Sequence, residues 1–219
     1  ETLNVSGEAL LLAPLNVRSV AIRDGAESSF VITGSPSAPK LRLDANASSV
    51  KIQSYELMSA RIRAEITDIL EAPKGPVQIG ANTAFGPLTG STELASTPGV
   101  YVANDIKLVL SRFSAKGDLQ LPSDGIALGE FTLNLPEREG QYARASLELS
   151  NTGGAQGVSL SAEAKQIAFK DIMIDTLTAE ADGTLASLTG NLEVKGQNGD
   201  EIITRQFKVL APFKLMRDT

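Results

Sequence analysis

The chain has 219 residues, of which 42% are hydrophobic and only 5% aromatic, and it contains no Trp, Cys or His. Its formal net charge is −6, and its 20 Lys and Arg residues are scattered among 26 Asp and Glu with no basic stripe, which argues against nucleic acid as a partner. Without Cys or His there are no disulfides, no thiolate or imidazole metal sites, and no Ser-His-Asp or Cys-His catalysis.

The absence of stray thiols fits a cell envelope compartment. The chain starts at Glu1 in sequence that already alternates like a strand, with neither an initiator Met nor a signal region, so it reads as an excised segment or a processed piece. Residues 8–24 give the weakest pattern. They include the longest apolar run, residues 9–15, which Pro14 interrupts and which falls well short of the roughly 18 residues of a membrane span.

From there on, turn signals cut the chain into short pieces. Gly34-Ser35-Pro36, Pro73-Lys74-Gly75-Pro76, Gly86-Pro87, Pro98-Gly99, Pro122-Ser123-Asp124-Gly125, Gly153-Gly154 and Gly196-Gln197-Asn198-Gly199 are the clearest. Between them, residues 41–45, 60–66, 77–79, 106–108, 131–135 and 192–194 alternate apolar with polar side chains, which predicts strands with one apolar and one wet face. Segment 51–66 also admits a helical reading through Leu57, Ala60, Arg61 and Ala64, but its β-branched residues favour strands.

The strand reading of that segment is reinforced by an internal repeat. Leu43, Ala45, Ala47, Val50, Ile52, Tyr55 and Leu57 match Leu160, Ala162, Ala164, Ile167, Phe169, Ile172 and Ile174 at a constant offset of 117 residues (160 − 43). Ile62 with Ala179 and Ala64 with Ala181 keep that offset, while Gly75, Val77 and Ile79 match Gly190, Leu192 and Val194 at 115 (190 − 75). A shared cadence with little identity is what duplicated strands of a stacked or elongated sheet retain, because the pleat preserves inside and outside while side chains drift. The two copies are expected at equivalent positions in successive layers of one curled, mainly antiparallel sheet.

Nothing in this pattern points to catalysis. Asp171 and Asp175, or Glu180 and Asp182, are paired carboxylates, yet they alternate with apolar residues as the solvated face of a strand does. Residues 153–157, Gly-Gly-Ala-Gln-Gly, lack the Lys-Ser/Thr and following helix of a phosphate loop and read as a hairpin turn. Asn4-Val5-Ser6 and Asn46-Ala47-Ser48 fit the glycosylation triplet, a match that chance supplies in most chains of this length. The chain reads as non-enzymatic, with no cofactor and no metal.

The apolar face is aliphatic, built from Leu, Ile, Val and Ala. It suits the filled core of a sandwich or barrel, or a curled sheet that leaves a trough for an acyl chain. Residues 41–87, then Ala115-Lys116-Gly117-Asp118-Leu119-Gln120-Leu121-Pro122-Ser123-Asp124-Gly125, then residues 156–196 resemble the repetitive periplasmic region of the TamB-like family. That family is the inner-membrane component of the translocation and assembly module, within the AsmA-like and bridge-like lipid transfer superfamily. The shared idiom is an alternating strand, a short Ile or Phe strand, another alternating strand, then a Gly-led strand such as Gly190-Asn191-Leu192-Glu193-Val194.

The resemblance implies an all-β fold: an elongated, curled, mainly antiparallel sheet forming an open hydrophobic trough, a β-taco, with residues 1–219 as one continuous segment of a longer repetitive domain. It implies phospholipid movement across the periplasm in a protein anchored in the inner membrane and paired with a TamA-like outer-membrane barrel. The sequence lacks the family's N-terminal anchor and C-terminal partner-binding end, so neither contact is placed here. On this reading Leu43, Ala45, Val50, Ile52, Ile62, Ile66, Leu160, Ile167, Phe169, Ile172, Ile174, Leu192 and Val194 line the groove and touch phospholipid acyl chains. Arg61, Arg63, Glu65, Lys165 and Glu193 then face solvent. The alternative is a scaffold that templates outer-membrane protein strands by β-augmentation. A passenger or adhesin, whose solenoid seals its interior, is a third class. Open sheet edges also predict self-association of the isolated segment.

Overall fold

The fold is described from a computed structural model, which covers residues 2–11, 15–17, 20–23, 25–52, 55–169, 172–198 and 201–211. For residues 16, 17, 20, 137, 138, 168, 169, 172, 197, 198 and 201–211 the description is of the backbone alone. No helix occurs among the described residues, so segment 55–66 is strand, as the alternation requires, and the expected all-β class holds. The strands divide into two units, residues 1–111 and 112–219, with one copy of the repeat in each.

Unit 1 contains β1 (Leu3–Leu11), β2 (Leu15–Val17), β3 (Val20–Ile22), β4 (Ala26–Ser35), β5 (Ala38–Ile52), β6 (Tyr55–Thr67), β7 (Lys74–Thr83), β8 (Gly86–Ala95) and β9 (Val100–Leu110). Its order is β1-β4-β5-β6-β7-β8-β9, every pair antiparallel, and the short β2–β3 hairpin attaches through β3 to the last three residues of β5. Unit 2 is a simple antiparallel meander of β10 (Phe113–Pro122), β11 (Leu128–Arg138), β12 (Gln141–Thr152), β13 (Ala155–Phe169), β14 (Ile172–Thr184), β15 (Ser187–Asn198) and β16 (Glu201–Ala211). In neither unit do the first and last strands pair to close a barrel. Both are consistent with the expected elongated, curled sheet.

The repeat proves longer than the sequence pattern suggested. Strands β5 and β13 begin and end 117 residues apart (155 − 38, 169 − 52), as do β6 and β14 (172 − 55, 184 − 67). Their pairing registers coincide as well: Leu43 lies opposite Ala64, and Leu160 opposite Ala181. The preceding strands join the repeat, because Phe30 of β4 faces Leu43 as Leu147 of β12 faces Leu160 (147 − 30 = 117).

The Gly-led strand needs a correction. Six residues separate β6 from β7 but two separate β14 from β15, so pairing places Gly190 opposite Ala181 where Val77 stands opposite Ala64, an offset of 113 (190 − 77). The expected 115 holds only at the far hairpin (198 − 83), since β15 is two residues longer than β7. A two-residue slip returns each side chain to the same face, so the inside–outside assignment survives it.

Both copies also share a break in the alternation. In β6 the exposed pair Met58 and Ser59 separates half-buried Leu57 from Ala60; in β13 Lys165 and Gln166 separate Ala164 from Ile167; in β14 Asp175 and Thr176 separate Ile174 from Leu177. Ser59 (φ 50°) and Gln166 (φ 49°) take the left-handed conformation there, and the ladders β6–β7 and β14–β15 carry bulges at the same level. A bulge bends its strand and increases the local twist. It also explains how apolar residues spaced by three in sequence, Leu57 and Ala60 or Ile174 and Leu177, stay on one half-buried series.

Turns are pinned by side chains. In unit 2, Gln156 at the start of β13 donates through Nε2 to the carbonyls of Ala127 (2.8 Å), Ser150 (3.2 Å) and Gly157 (3.1 Å), and its Oε1 accepts from the Ala127 amide (2.7 Å). One amide thus satisfies the backbone leading into β11 and fixes it against the β12–β13 hairpin.

Candidate functional site

Cross-strand partners share a face, so the ladders convert the alternation into rows that run across the sheet. In unit 1 one row is Phe30–Leu43–Ala64–Val77, the next Ser28–Ala45–Ile62–Ile79, and a third ends in Ile32–Leu41–Ile66. Of the expected lining residues, Leu43, Ala45, Ile62 and Ile66 therefore lie together on one apolar face. Val50 and Ile52 sit beyond the break at Ser59, where Val50 pairs with Leu57 and Ile22, and Ile52 with Tyr55.

In unit 2 the corresponding rows are Phe131–Leu147–Leu160–Ala181–Gly190, Leu133–Ala145–Ala162–Ala179–Leu192 and Leu135–Ala143–Ala164–Leu177–Val194. Leu160, Leu192 and Val194 belong to this face, and Ile167 pairs with Ile174 beyond the bulge. Phe169 and Ile172 pair in the β13–β14 ladder, but their side chains lie outside the described ones. Phe30, Ile79, Phe131, Leu147 and Leu177 complete the face, although the sequence reading did not name them among the lining residues. Phe30 and Leu147 carry the signal that would have found them, the same offset of 117.

This face is only partly shielded. Ile66 (7%) and Leu135 (5%) are buried, yet Ile62 remains 41% exposed, Ile79 37% and Leu133 40% although each sits within a row of apolar neighbours. A filled sandwich core would instead bury both facing sheets. The face offers apolar contact and no reactive group.

The opposite face is polar, and Arg61, Arg63, Glu65 and Lys165 are exposed on it as expected, while Glu193 is half-buried. Asp44 accepts hydrogen bonds from Arg61 (2.6 Å) and Arg63 (2.9 Å), and these two guanidinium groups hold its carboxyl below the ordinary value of 3.8. Arg42 meets Glu65 at 3.5 Å, and Arg144 meets Glu163 at 3.7 Å. Hollows of about 660 and 410 Å³ form on this polar side, the first among Glu8, Glu27, Asp44 and Arg61, the second among Ser159, Ser161, Glu180 and Asp182. Long charged side chains standing around Ser and Asn positions make these hollows. Their lining is mixed, since the first also touches Ala9 and Leu10 and the second Leu160 and Ala181.

Asp175, Glu180 and Asp182 of β14 are exposed, as a solvated face predicts, whereas Asp171 lies outside the described residues. Among the described residues no group of three carboxylates converges to hold a cation. The Gly153-Gly154 step is the β12–β13 hairpin turn, with both glycines in left-handed conformation. No protein-family model, curated protein or solved structure matches this chain.

Proposed function

We propose that this chain is a periplasmic conduit segment whose apolar face shields acyl chains during phospholipid transfer between the inner and outer membranes. The observation that carries the reading is the open apolar face: Ile62 and Ile79 are cross-strand partners in the middle of an aliphatic field and yet are 41% and 37% exposed. Soluble monomers rarely leave such contiguous apolar surface uncovered unless it receives a ligand or partner. Leu, Ile, Val and Ala make contacts that tolerate sliding, since they have no polar atom to fix a chain in one position. The likeness to the TamB-like family supports the same reading and supplies its setting, a full-length protein anchored in the inner membrane that works with a TamA-like barrel through parts outside this chain. The role is guidance, without catalysis.

The magnitudes are adequate. A chain of about 15 methylenes moved from water gains up to roughly 12 kcal/mol at about 0.8 kcal/mol per buried CH₂, before ordering and incomplete enclosure are subtracted. Half of that holds lipid through purification. The test is mass spectrometry of the organic extract of the purified chain and of folded Ile62→Asp and Ile174→Asp variants. Phospholipid in the parent and a severalfold loss in the variants is the expected outcome, because a carboxylate in the acyl path is costly to desolvate. An empty parent, or variants that carry equal lipid, favours the scaffold that templates strands at sheet edges.

A further inference from the structure

The polar faces of the two repeat copies carry opposite net charge, and Arg63 and Glu180 reverse sign at one equivalent position. Between the turn and the bulge, β5–β7 present Lys40, Arg42, Arg61, Arg63 and Lys74 against Asp44 and Glu65, five cations to two carboxylates. The same stretch of β13–β15 presents Glu163, Glu180, Asp182 and Glu193 against Lys165 and Lys195, four carboxylates to two ammonium groups. Arg63 and Glu180 occupy the same place in the repeat, since both are 117 residues apart and both precede the alanine that faces the Leu of the neighbouring strand (180 − 63). The first copy is thus a basic patch of net +3 in a chain of net −6, and the second an acidic patch of net −2. All of these residues except Asp44 and Glu193 are exposed.

We infer that the basic polar face of β5–β7 in one chain docks the acidic polar face of β13–β15 in a second copy. Complementary charge selects this occupant, and the shared register adds to it. Both faces are built on the same lattice, with strands roughly 4.8 Å apart and same-face residues about 6.7 Å apart along each strand, so the charged groups of the two faces share one spacing. The contact leaves the apolar faces free, so it is independent of the lipid reading and adds a route by which segments associate side by side. Exposed pairs are individually weak and are screened within about 8–10 Å at physiological ionic strength, so the association is cooperative, modest and steeply dependent on salt.

Sedimentation velocity of the full chain at roughly 20 and roughly 500 mM NaCl tests this. The expected result is concentration-dependent association at low salt that disappears at high salt. Arg42→Glu with Arg63→Glu weakens it at least tenfold, Glu180→Arg with Asp182→Arg does the same, and an equimolar mixture of the two double variants restores it. Circular dichroism establishes that the variants are folded. A monomeric parent at low salt, association that persists or strengthens with salt as apolar-face or edge pairing would, or a mixture that stays monomeric overturns the inference. So does an unassociated parent that instead binds vesicles of anionic phospholipid through the same arginines.

Discussion

Phe30 lies directly opposite Gly7 in the β1–β4 ladder, and its ring fills the space a side chain on Gly7 would need: a Cβ built there falls 2.6 Å from Phe30 Cζ. Gly117 and Phe131 repeat the arrangement in the β10–β11 ladder of unit 2, where the Cβ would fall 2.5 Å from Phe131 Cδ1. A ring that folds over a cross-strand glycine covers bare backbone and supplies the apolar contact the glycine lacks. In a chain this poor in aromatic residues, two are used to cover glycines on the apolar face.

That relationship sets the first prediction. Gly7→Ala must push the Phe30 ring aside, and overpacking of this kind costs about 1–3 kcal/mol. Urea unfolding monitored by circular dichroism is expected to show the loss, with Phe30→Leu partly relieving it in the double variant. Independent effects of the two substitutions would show that the ring and the glycine do not share the space.

A second prediction compares two isoleucines in one strand. Ile66 is 7% exposed and Ile62 41%, four residues apart on the same face of β6. Ile66→Ala is expected to cost about 2–4 kcal/mol through lost burial and a residual cavity, whereas Ile62→Ala costs under about 1 kcal/mol. The same denaturation experiment reads both. Equal costs would mean that Ile62 is covered in solution.

The third concerns acid. Hydrogen bonds from Arg61, then from Arg63, lower the Asp44 pKa, so its folded value lies below the unfolded value near 3.8. The contribution of Asp44 to stability is therefore fully present above about pH 3.8 and is lost as the pH falls through the depressed folded value. Titration of the Asp44 carboxyl by NMR is expected to give a lower midpoint in the parent than in Arg61→Gln, the larger of the two causes, with Arg63→Gln intermediate. An unchanged midpoint in both variants would show that the pairs do not persist in solution.

Much of this architecture was legible before any coordinate. Period-two alternation separates the faces because successive side chains on a strand point to opposite sides, which is why Leu43 and Ala45 on one side, and Arg42 and Asp44 on the other, were assigned from residue order alone. The repeat was legible for the same reason, and the boundaries of β5, β6, β13 and β14 follow its offset. Its extension to β4 and β12 was within reach too, but the matched residues Phe30 and Leu147 differ in size and only the ladder shows that they hold the same place.

Other features depended on tertiary structure. Whether Gly75 or Val77 answers to Gly190 turns on the length of a loop, and hydrogen-bond register fixes that where local sequence does not. The step from Leu57 to Ala60 passes through a left-handed residue at Ser59, and Ser has no strong preference for it, so only the surrounding ladder makes that conformation stable. Finally, residue order says that a face is apolar but not whether anything covers it. Burial of Ile66 beside an accessible Ile62 results from how neighbouring strands bend and pack, and that property decides between a filled core and an open apolar surface.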